Sequence, residues 1–141
     1  MLMGRNIYLI LILLLGIFVF SSCSSPENAE ESSSDSKNDY EQITPEKAKE
    51  LMDSEENYII LDVRTDEEYN AGHIKGALLI PDYEIKEKAS SMLTDKDQLI
   101  LVYCRSGRRS KNVSKDLAEL GYTNVKEFGG IIDWTYGTVT E

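Results

Sequence analysis

Cysteine and histidine are scarce in this sequence, and this scarcity restricts the chemistry open to the chain. The 141 residues include 2 cysteines, Cys23 and Cys104, and 1 histidine, His73. Two cysteines do not make a disulfide framework, and one histidine with one free thiol is too few for a metal site. A glycine-rich nucleotide loop is also absent from the sequence. We therefore predict no metal and no cofactor.

Basic residues are outnumbered as well. The chain has 15 Lys and Arg against 25 Asp and Glu, which gives a net charge of −10. Non-specific binding of nucleic acid depends on a basic surface, so we expect no nucleic-acid partner. Arg105, Arg108 and Arg109 nevertheless cluster in one short segment. Such a local cluster in an acidic chain indicates a small anionic ligand rather than a polyanion.

The sequence lacks an apolar run of the ~20 residues that a transmembrane helix needs. Its longest run, Ile7–Phe20, follows Arg5 and leads into Ser21-Ser22-Cys23, a pattern typical of a secretory signal peptide over residues 1–22. The segment from Phe20 to Cys23 resembles a bacterial lipobox, in which the signal is removed and the new N-terminal cysteine is lipidated. We expect lipidation at Cys23 and a membrane-anchored, extracytoplasmic protein. Cleavage without lipid and an uncleaved anchor are the alternatives.

Composition divides the rest of the chain into a tether and a domain. Residues 24–42 are mostly Ser, Asn, Asp and Glu, and such a segment cannot bury enough surface to offset its ordering entropy. We predict that residues 23–42 comprise the lipidated cysteine and a disordered acidic tether. Residues 43–141, about a hundred residues, suffice for one compact core.

Strand and helix patterns alternate along this domain. Four segments are apolar and rich in β-branched or aromatic residues, which predicts strands at Tyr58–Leu61, Ala77–Ile80, Gln98–Tyr103 and Val125–Phe128. Helix patterns begin near Thr44, Thr65, Tyr83 and Ser110. This alternation predicts a parallel α/β sheet, with ligand chemistry at the carboxyl ends of its strands.

Cys104 stands where a buried strand gives way to a helix. The nearly continuous apolar run Gln98–Tyr103 is typical of a strand covered on both faces, and a helix begins near Ser110. The segment between them therefore lies at a helix N-terminus, where unpaired amides and the helix dipole favour anions. Thiol pKa values in such places fall from ~8.5 to ~3.5–7.5, so we predict that Cys104 is a nucleophilic thiolate. A buried structural cysteine is the alternative.

Four segments of the domain form a pattern when taken in their order along the chain. They are Leu61-Asp62-Val63-Arg64 with Glu68-Tyr69, Gly72-His73-Ile74-Lys75-Gly76-Ala77 through Ile80-Pro81, Tyr103 through Ser110, and Gly129-Gly130-Ile131 with Trp134. Together they resemble the rhodanese-like sulfurtransferases in their single-domain form. The resemblance implies a rhodanese-like α/β fold with a five-stranded parallel sheet flanked by helices. It also implies that Cys104 takes a sulfane sulfur from thiosulfate or a similar anionic donor, forms a persulfide, and passes the sulfur to a thiol or to cyanide.

The same resemblance implies that the loop after Cys104 binds the donor, with its amides aimed inward. Arg105 and Arg108 are our candidates for the donor's oxygens, whereas Arg109 either joins them or turns inward to fix the loop. Gly107 permits backbone conformations that a side chain would hinder. The predicted substrate-binding residues are thus Arg105, Ser106, Gly107, Arg108, Arg109 and Ser110.

Four other residues invite a catalytic role, but we predict structural ones. His73 could form a Cys-His dyad, yet its turn favours hydrogen bonds to backbone. Asp62 and Arg64 are expected to form a buried or half-buried ion pair at a strand end, because sulfur transfer between thiolates moves few protons. Trp134 is expected to pack on the core.

Loop length bears on the rival functions. Related phosphatases and arsenate reductases use a cysteine loop one residue longer, with an arginine six places after the cysteine. Here Arg109 stands five places after Cys104 and Ser110 stands sixth, which favours sulfur over phosphate. A non-catalytic binding module of the same fold is a second alternative, although its cysteine is then usually lost. A thiol-redox role is the third, and the domain has no resolving cysteine for it.

Overall fold

A computed structural model describes residues 39–140. The predicted signal peptide, Cys23 and the tether up to residue 38 lie outside this range, so their assignment stays a prediction. Within residues 39–140, no helix has the length and apolar character needed to cross a membrane.

Five parallel strands form one sheet in the order β1-β5-β4-β2-β3. Their bounds are Glu41–Gln42 for β1, Tyr58–Asp62 for β2, Leu78–Leu79 for β3, Leu99–Cys104 for β4 and Val125–Gly130 for β5. The central strand, β4, is buried along its whole length, as its apolar sequence indicates. The predicted five-stranded parallel α/β sheet is confirmed.

Helices cover both faces of this sheet. They are α1 Pro45–Ser54, α2 Asp66–Asn70, α3 Ile85–Met92 and α4 Arg108–Glu119, with 3-10 turns at Asp82–Glu84 and Ile131–Asp133. Thr44 caps α1 and Thr65 forms a capping box with Glu68 on α2, as their spacing predicts. The helix α4 begins two residues earlier than predicted, because Gly107, with φ 91°, turns the chain directly into it.

The edge strand β1 corrects the predicted end of the tether. Glu41 and Gln42 pair with Lys126 and Glu127 of β5, and the amide of Ile43 donates to the Glu127 carbonyl at 2.8 Å. Both residues of β1 are exposed. Backbone hydrogen bonds rather than apolar burial hold the strand, so hydrophobic periodicity in the sequence does not indicate it.

The alternation of side chains along β4 divides the interior into two cores. One packs under α3 and α4 and includes Ile100, Val102 and Cys104. The other packs under α1 and α2 and includes Leu99, Leu101 and Tyr103, with Trp134 packed against it as predicted. Cys104 is thus the last residue of the strand on the face that α4 covers.

A buried ion pair fixes the carboxyl end of β2. Arg64 Nη2 lies 2.7 Å from Asp62 Oδ2, with both side chains buried, which confirms the predicted pair. The same carboxylate oxygen accepts from the Tyr103 hydroxyl of β4 at 2.6 Å, and Arg64 also donates to the Gly72 carbonyl at 2.8 Å. Burial and the Asp62 charge raise the pKa of Tyr103, so its hydroxyl keeps the proton that it donates.

Candidate functional site

The Cys104 sulfur lies at the junction of β4 and α4. Gly107 adopts a left-handed conformation with φ 91°, and its amide donates to Cys104 Sγ at 3.1 Å. A residue with a side chain rarely adopts this conformation. The Ser110 hydroxyl lies 3.5 Å from the same sulfur. Gly107 and Ser110, both predicted to bind substrate, therefore lie buried against the sulfur and support it.

These contacts make the Cys104 thiol acidic. Burial raises the pKa, but hydrogen bonds from the Ser110 hydroxyl and from the amides of Ser110, Ser106 and Gly107 outweigh burial and lower it below the ordinary value. Structural cysteines in apolar surroundings have raised pKa values instead. The surroundings of Cys104 therefore favour a reactive thiolate over the structural alternative.

Cys104 lines a polar pocket of about 310 Å³ together with Glu68, Arg105, Ser106, Arg108 and Arg109. Arg105 and Arg108 are exposed, and neither forms an ion pair with another residue of the 39–140 segment. Two guanidinium groups beside an acidic thiol make this pocket suitable for a small anion.

Arg109, in contrast, binds a carboxylate of the protein itself. Its guanidinium donates two hydrogen bonds to Glu68, at 2.8 and 2.7 Å, and Glu68 also accepts from the Thr65 amide at 3.0 Å. The contact with Arg109 lowers the pKa of Glu68 to about 2. Of the two roles considered for Arg109, this geometry favours fixing the loop. The sequence identified Glu68 only as a capping residue, because its contact with Arg109 depends on β2 and β4 being neighbours.

A second carboxylate, Glu127 on β5, lies under the loop and is 2% exposed. Its Oε1 accepts from the Ser110 hydroxyl at 2.6 Å and from the Gly129 amide at 2.8 Å. Sequence reasoning missed this residue. The sequence offers one signal for it. Glu127 stands two residues after Val125 and so lies on the same, buried face of the strand, where a carboxylate requires hydrogen-bond partners.

His73 does not line the cysteine pocket. Its Nδ1 lies 3.0 Å from the Tyr69 carbonyl oxygen, its ring stacks on Tyr69 with centroids 3.7 Å apart, and its backbone pairs with Val139. The predicted hydrogen bonding of His73 to backbone is confirmed.

Gly130 allows the cysteine loop to cross the end of β5. A Cβ at this position would lie 2.6 Å from Ser106 Cα and 2.7 Å from the Arg105 carbonyl carbon. The φ of Gly130 is −116°, which any residue adopts. Space rather than backbone conformation therefore requires glycine here.

We expect Gly130→Ala to displace the loop and to lower reactivity of Cys104 roughly a hundredfold, because displacements of an ångström can have effects of that size. The measurement is the rate of Cys104 modification by a thiol reagent, with circular dichroism as the check on folding. Gly121→Ala is the control, since a Cβ there meets no atom within 4 Å, even though the φ of Gly121 is positive, unlike that of Gly130. Wild-type reactivity in Gly130→Ala would contradict this expectation.

Fold and site together define an α/β protein with an acidic cysteine at a helix N-terminus. Residues 44–136 match the Rhodanese-like domain family, and the chain belongs to this family. The predicted rhodanese-like fold is thereby confirmed, together with its relation to sulfurtransferases.

Named relatives support the same assignment. The chain is 41% identical over 73 residues to the thiosulfate sulfurtransferase PspE of Escherichia coli, which covers 52% of this chain and 70% of PspE. It is 39% identical over 93 residues to the putative sulfurtransferase YtwF of Bacillus subtilis, covering 66% of this chain and 88% of YtwF.

Solved structures agree with these relatives. A rhodanese from E. coli with bound anions is 37% identical, with a TM-score of 0.56 over 60% of this chain and 99% of that one. A rhodanese-like domain protein from Staphylococcus aureus is 31% identical, with a TM-score of 0.64 over 72% of this chain and 98% of that one.

Proposed function

We propose that this protein transfers a sulfane sulfur from thiosulfate or a similar anionic donor to a thiol or to cyanide, through a persulfide on Cys104. The observation that carries the proposal is the acidic sulfur of Cys104 beside two guanidinium groups free of ion pairs within residues 39–140. The naming of PspE as a thiosulfate sulfurtransferase supports the choice of donor.

The reaction consists of two displacements at sulfur. The Cys104 thiolate attacks the outer sulfur of thiosulfate, a new S–S bond forms, and sulfite leaves with the electron pair of the old S–S bond. An acceptor thiolate or cyanide then attacks the terminal sulfur, and Cys104 leaves as thiolate. The amides that stabilise the thiolate can stabilise the terminal persulfide anion in the same way.

The arginines and the loop size favour sulfur over phosphate. Arg105 and Arg108 can neutralise the sulfonate oxygens of the donor and the departing sulfite. Arg109 is held by Glu68, and Ser110 occupies the sixth place after Cys104 with its side chain buried. The related phosphatases have an arginine six places after the cysteine, whereas this chain has Ser110 there.

The proposal is tested by incubating the protein with thiosulfate and measuring its mass. We expect one sulfur atom to be added at Cys104, and aryl phosphates to remain unhydrolysed in parallel assays. An unchanged mass, or phosphate hydrolysis at a rate comparable to sulfur transfer, would contradict the proposal.

Removing a donor-binding arginine should weaken binding of thiosulfate. We expect Arg105→Ala or Arg108→Ala to raise KM for thiosulfate roughly ten- to a hundredfold, because a charge-assisted hydrogen bond contributes about 1.5–3 kcal/mol. Steady-state kinetics are the measurement. The control is Lys115→Ala, which removes an equal charge from an exposed position farther along α4. Unchanged KM in both arginine variants would show that the backbone amides alone bind the donor.

We further propose that the protein acts outside the cytoplasm, tethered to the membrane by lipidated Cys23. The support is the sequence of residues 1–23, in which a short apolar run leads into a lipobox-like segment. An acidic tether would hold the domain away from the membrane surface.

Fatty-acid labelling of cells tests this location. We expect the wild-type protein to incorporate the label and to lack residues 1–22, whereas Cys23→Ala should remain unlabelled and uncleaved. The Cys23→Ala domain should keep sulfur transfer, because Cys104 is unchanged. A soluble wild-type protein with an intact N-terminus would contradict export, and a cleaved but unlabelled protein would contradict lipidation alone.

A further inference from the structure

Glu127 bridges the cysteine loop and β5 from a buried position. The register of β4 against β5 shifts between Val102 and Cys104, and Gly129 lies within this irregularity on β5. Glu127 Oε1 accepts that amide at 2.8 Å and the Ser110 hydroxyl at 2.6 Å. One carboxylate oxygen thus links the end of β5 to the first turn of α4.

The Ser110 hydroxyl has one proton and four acceptors within reach. Glu127 Oε1 lies at 2.6 Å, the Gly107 carbonyl at 3.0 Å, the Gly129 carbonyl at 3.4 Å and Cys104 Sγ at 3.5 Å. Hydrogen bonds from a hydroxyl to a carboxylate are short, at ~2.5–2.7 Å, and about twice as strong as neutral ones. Glu127 therefore competes with the sulfur for the Ser110 proton and weakens the hydrogen bond by which Ser110 lowers the pKa of Cys104.

The charge of Glu127 acts in the same direction. An ionised Cys104 and the Glu127 carboxylate are both anions in contact with Ser110, and a like charge disfavours ionisation. Opposing this, the loop amides stabilise the thiolate. Two opposed effects therefore act on the pKa of Cys104: the loop amides lower it, and the negative charge of Glu127 raises it.

Other charged or titratable groups lie around Cys104 and Glu127. Around the sulfur they are Arg105, Arg108, Arg109 and Glu68 of the pocket, with Asp82 acting on Arg109. Around Glu127 they are Tyr40, and Lys111 and Asp133 at an adjoining cavity of about 330 Å³. Within residues 39–140, Glu127 is the charged side chain that hydrogen-bonds to the Ser110 hydroxyl.

We propose that Glu127 is a positioning residue that acts on Cys104 through Ser110. Its carboxylate competes for the Ser110 proton and limits how far the sulfur anion is stabilised, which keeps the sulfur a strong nucleophile. Nucleophilicity of a thiolate falls as its pKa falls, with a Brønsted coefficient of ~0.4–0.5. The effect on turnover rests on the proposed sulfurtransferase function, whereas the effect on thiol reactivity does not.

The test is the rate at which Cys104 attacks hydroxyethyl disulfide, measured against pH in the full chain carrying Cys23→Ala, so that Cys104 is the sole thiol. In Glu127→Gln we expect the midpoint of the pH profile to fall by roughly one unit. The plateau rate should then fall about threefold. In sulfur transfer, kcat should fall by a similar factor, with KM for thiosulfate unchanged because Arg105 and Arg108 are intact.

Two further variants separate charge from structure. Glu41→Gln removes an equal charge from the neighbouring strand β1 and should leave the midpoint unchanged. Glu127→Asp keeps the charge with a shorter reach, so its midpoint should stay nearer to wild type than that of Glu127→Gln. Melting temperatures show whether each variant is folded.

The outcomes are distinguishable. An unchanged or raised midpoint in Glu127→Gln would overturn the inference, and so would a fall in Glu127→Asp as large as in Glu127→Gln. Failure of both Glu127 variants to fold would assign the residue to the fold alone and would equally overturn it. A lowered midpoint without any sulfur transfer in wild type would support the action of Glu127 on Cys104 and reject the sulfurtransferase function.

Discussion

We expect Cys104→Ser to take up no sulfur from thiosulfate, whereas the wild-type protein gains one sulfur atom per chain. The serine hydroxyl stays protonated in a site that lowers the pKa of a thiol, and the thiolate rather than the neutral group is the nucleophile. Mass spectrometry measures the uptake, and cyanide should then release the sulfur as thiocyanate from wild type alone.

The other cysteine supplies the matched control. Cys23→Ala should gain one sulfur atom as wild type does, because Cys23 lies outside the domain that holds the pocket. Circular dichroism should give the same spectrum for Cys104→Ser and wild type, since the substitution is nearly isosteric. Sulfur uptake by Cys104→Ser would reject Cys104 as the carrier.

The largest expected loss of stability follows from Asp62→Ala. This change leaves the Arg64 guanidinium buried without its counter-ion and removes the acceptor of the Tyr103 hydroxyl. Breaking a buried pair from one side costs about 3–5 kcal/mol, a large part of the ~5–15 kcal/mol that stabilises a typical domain. Urea unfolding of wild type and variant measures the difference.

An exposed ion pair provides the comparison. Glu50 pairs with Lys47 at 2.8 Å, with side chains 67% and 48% exposed. Glu50→Ala should therefore change the free energy of unfolding by less than about 1 kcal/mol. A loss as small as this in Asp62→Ala would show that Arg64 finds another partner or reaches solvent, contrary to the network described for the end of β2.

Local signals explain which elements the sequence predicted well. The strand β4 was recognised from its continuous apolar run, and α2 from the Thr65 and Glu68 of its capping box. These features depend on residues close together in the chain, so spacing and chemistry suffice to identify them. The two-residue strand β1 carries no such signal, because its exposed side chains leave no apolar alternation.

Contacts between distant segments explain what the sequence left open. The role of Arg109 depends on its contact with Glu68, which lies 41 residues away in the chain. No local sequence pattern around Arg109 indicates this contact. Gly130 and Arg105 likewise meet only because β5 lies beside β4. Strand order decides such contacts, and the sequence of an isolated segment does not contain it.

The sequence by itself determined the candidate nucleophile and its local setting: a cysteine between a buried strand and a helix N-terminus, followed by three arginines. It determined this because unpaired amides and the helix dipole arise from consecutive residues. Only the tertiary structure decided how the charges are distributed around the sulfur. It binds Arg109 to Glu68, leaves Arg105 and Arg108 facing the pocket, and buries Glu127 beside Ser110. Electrostatic effects depend on distance and burial, and folding alone sets both.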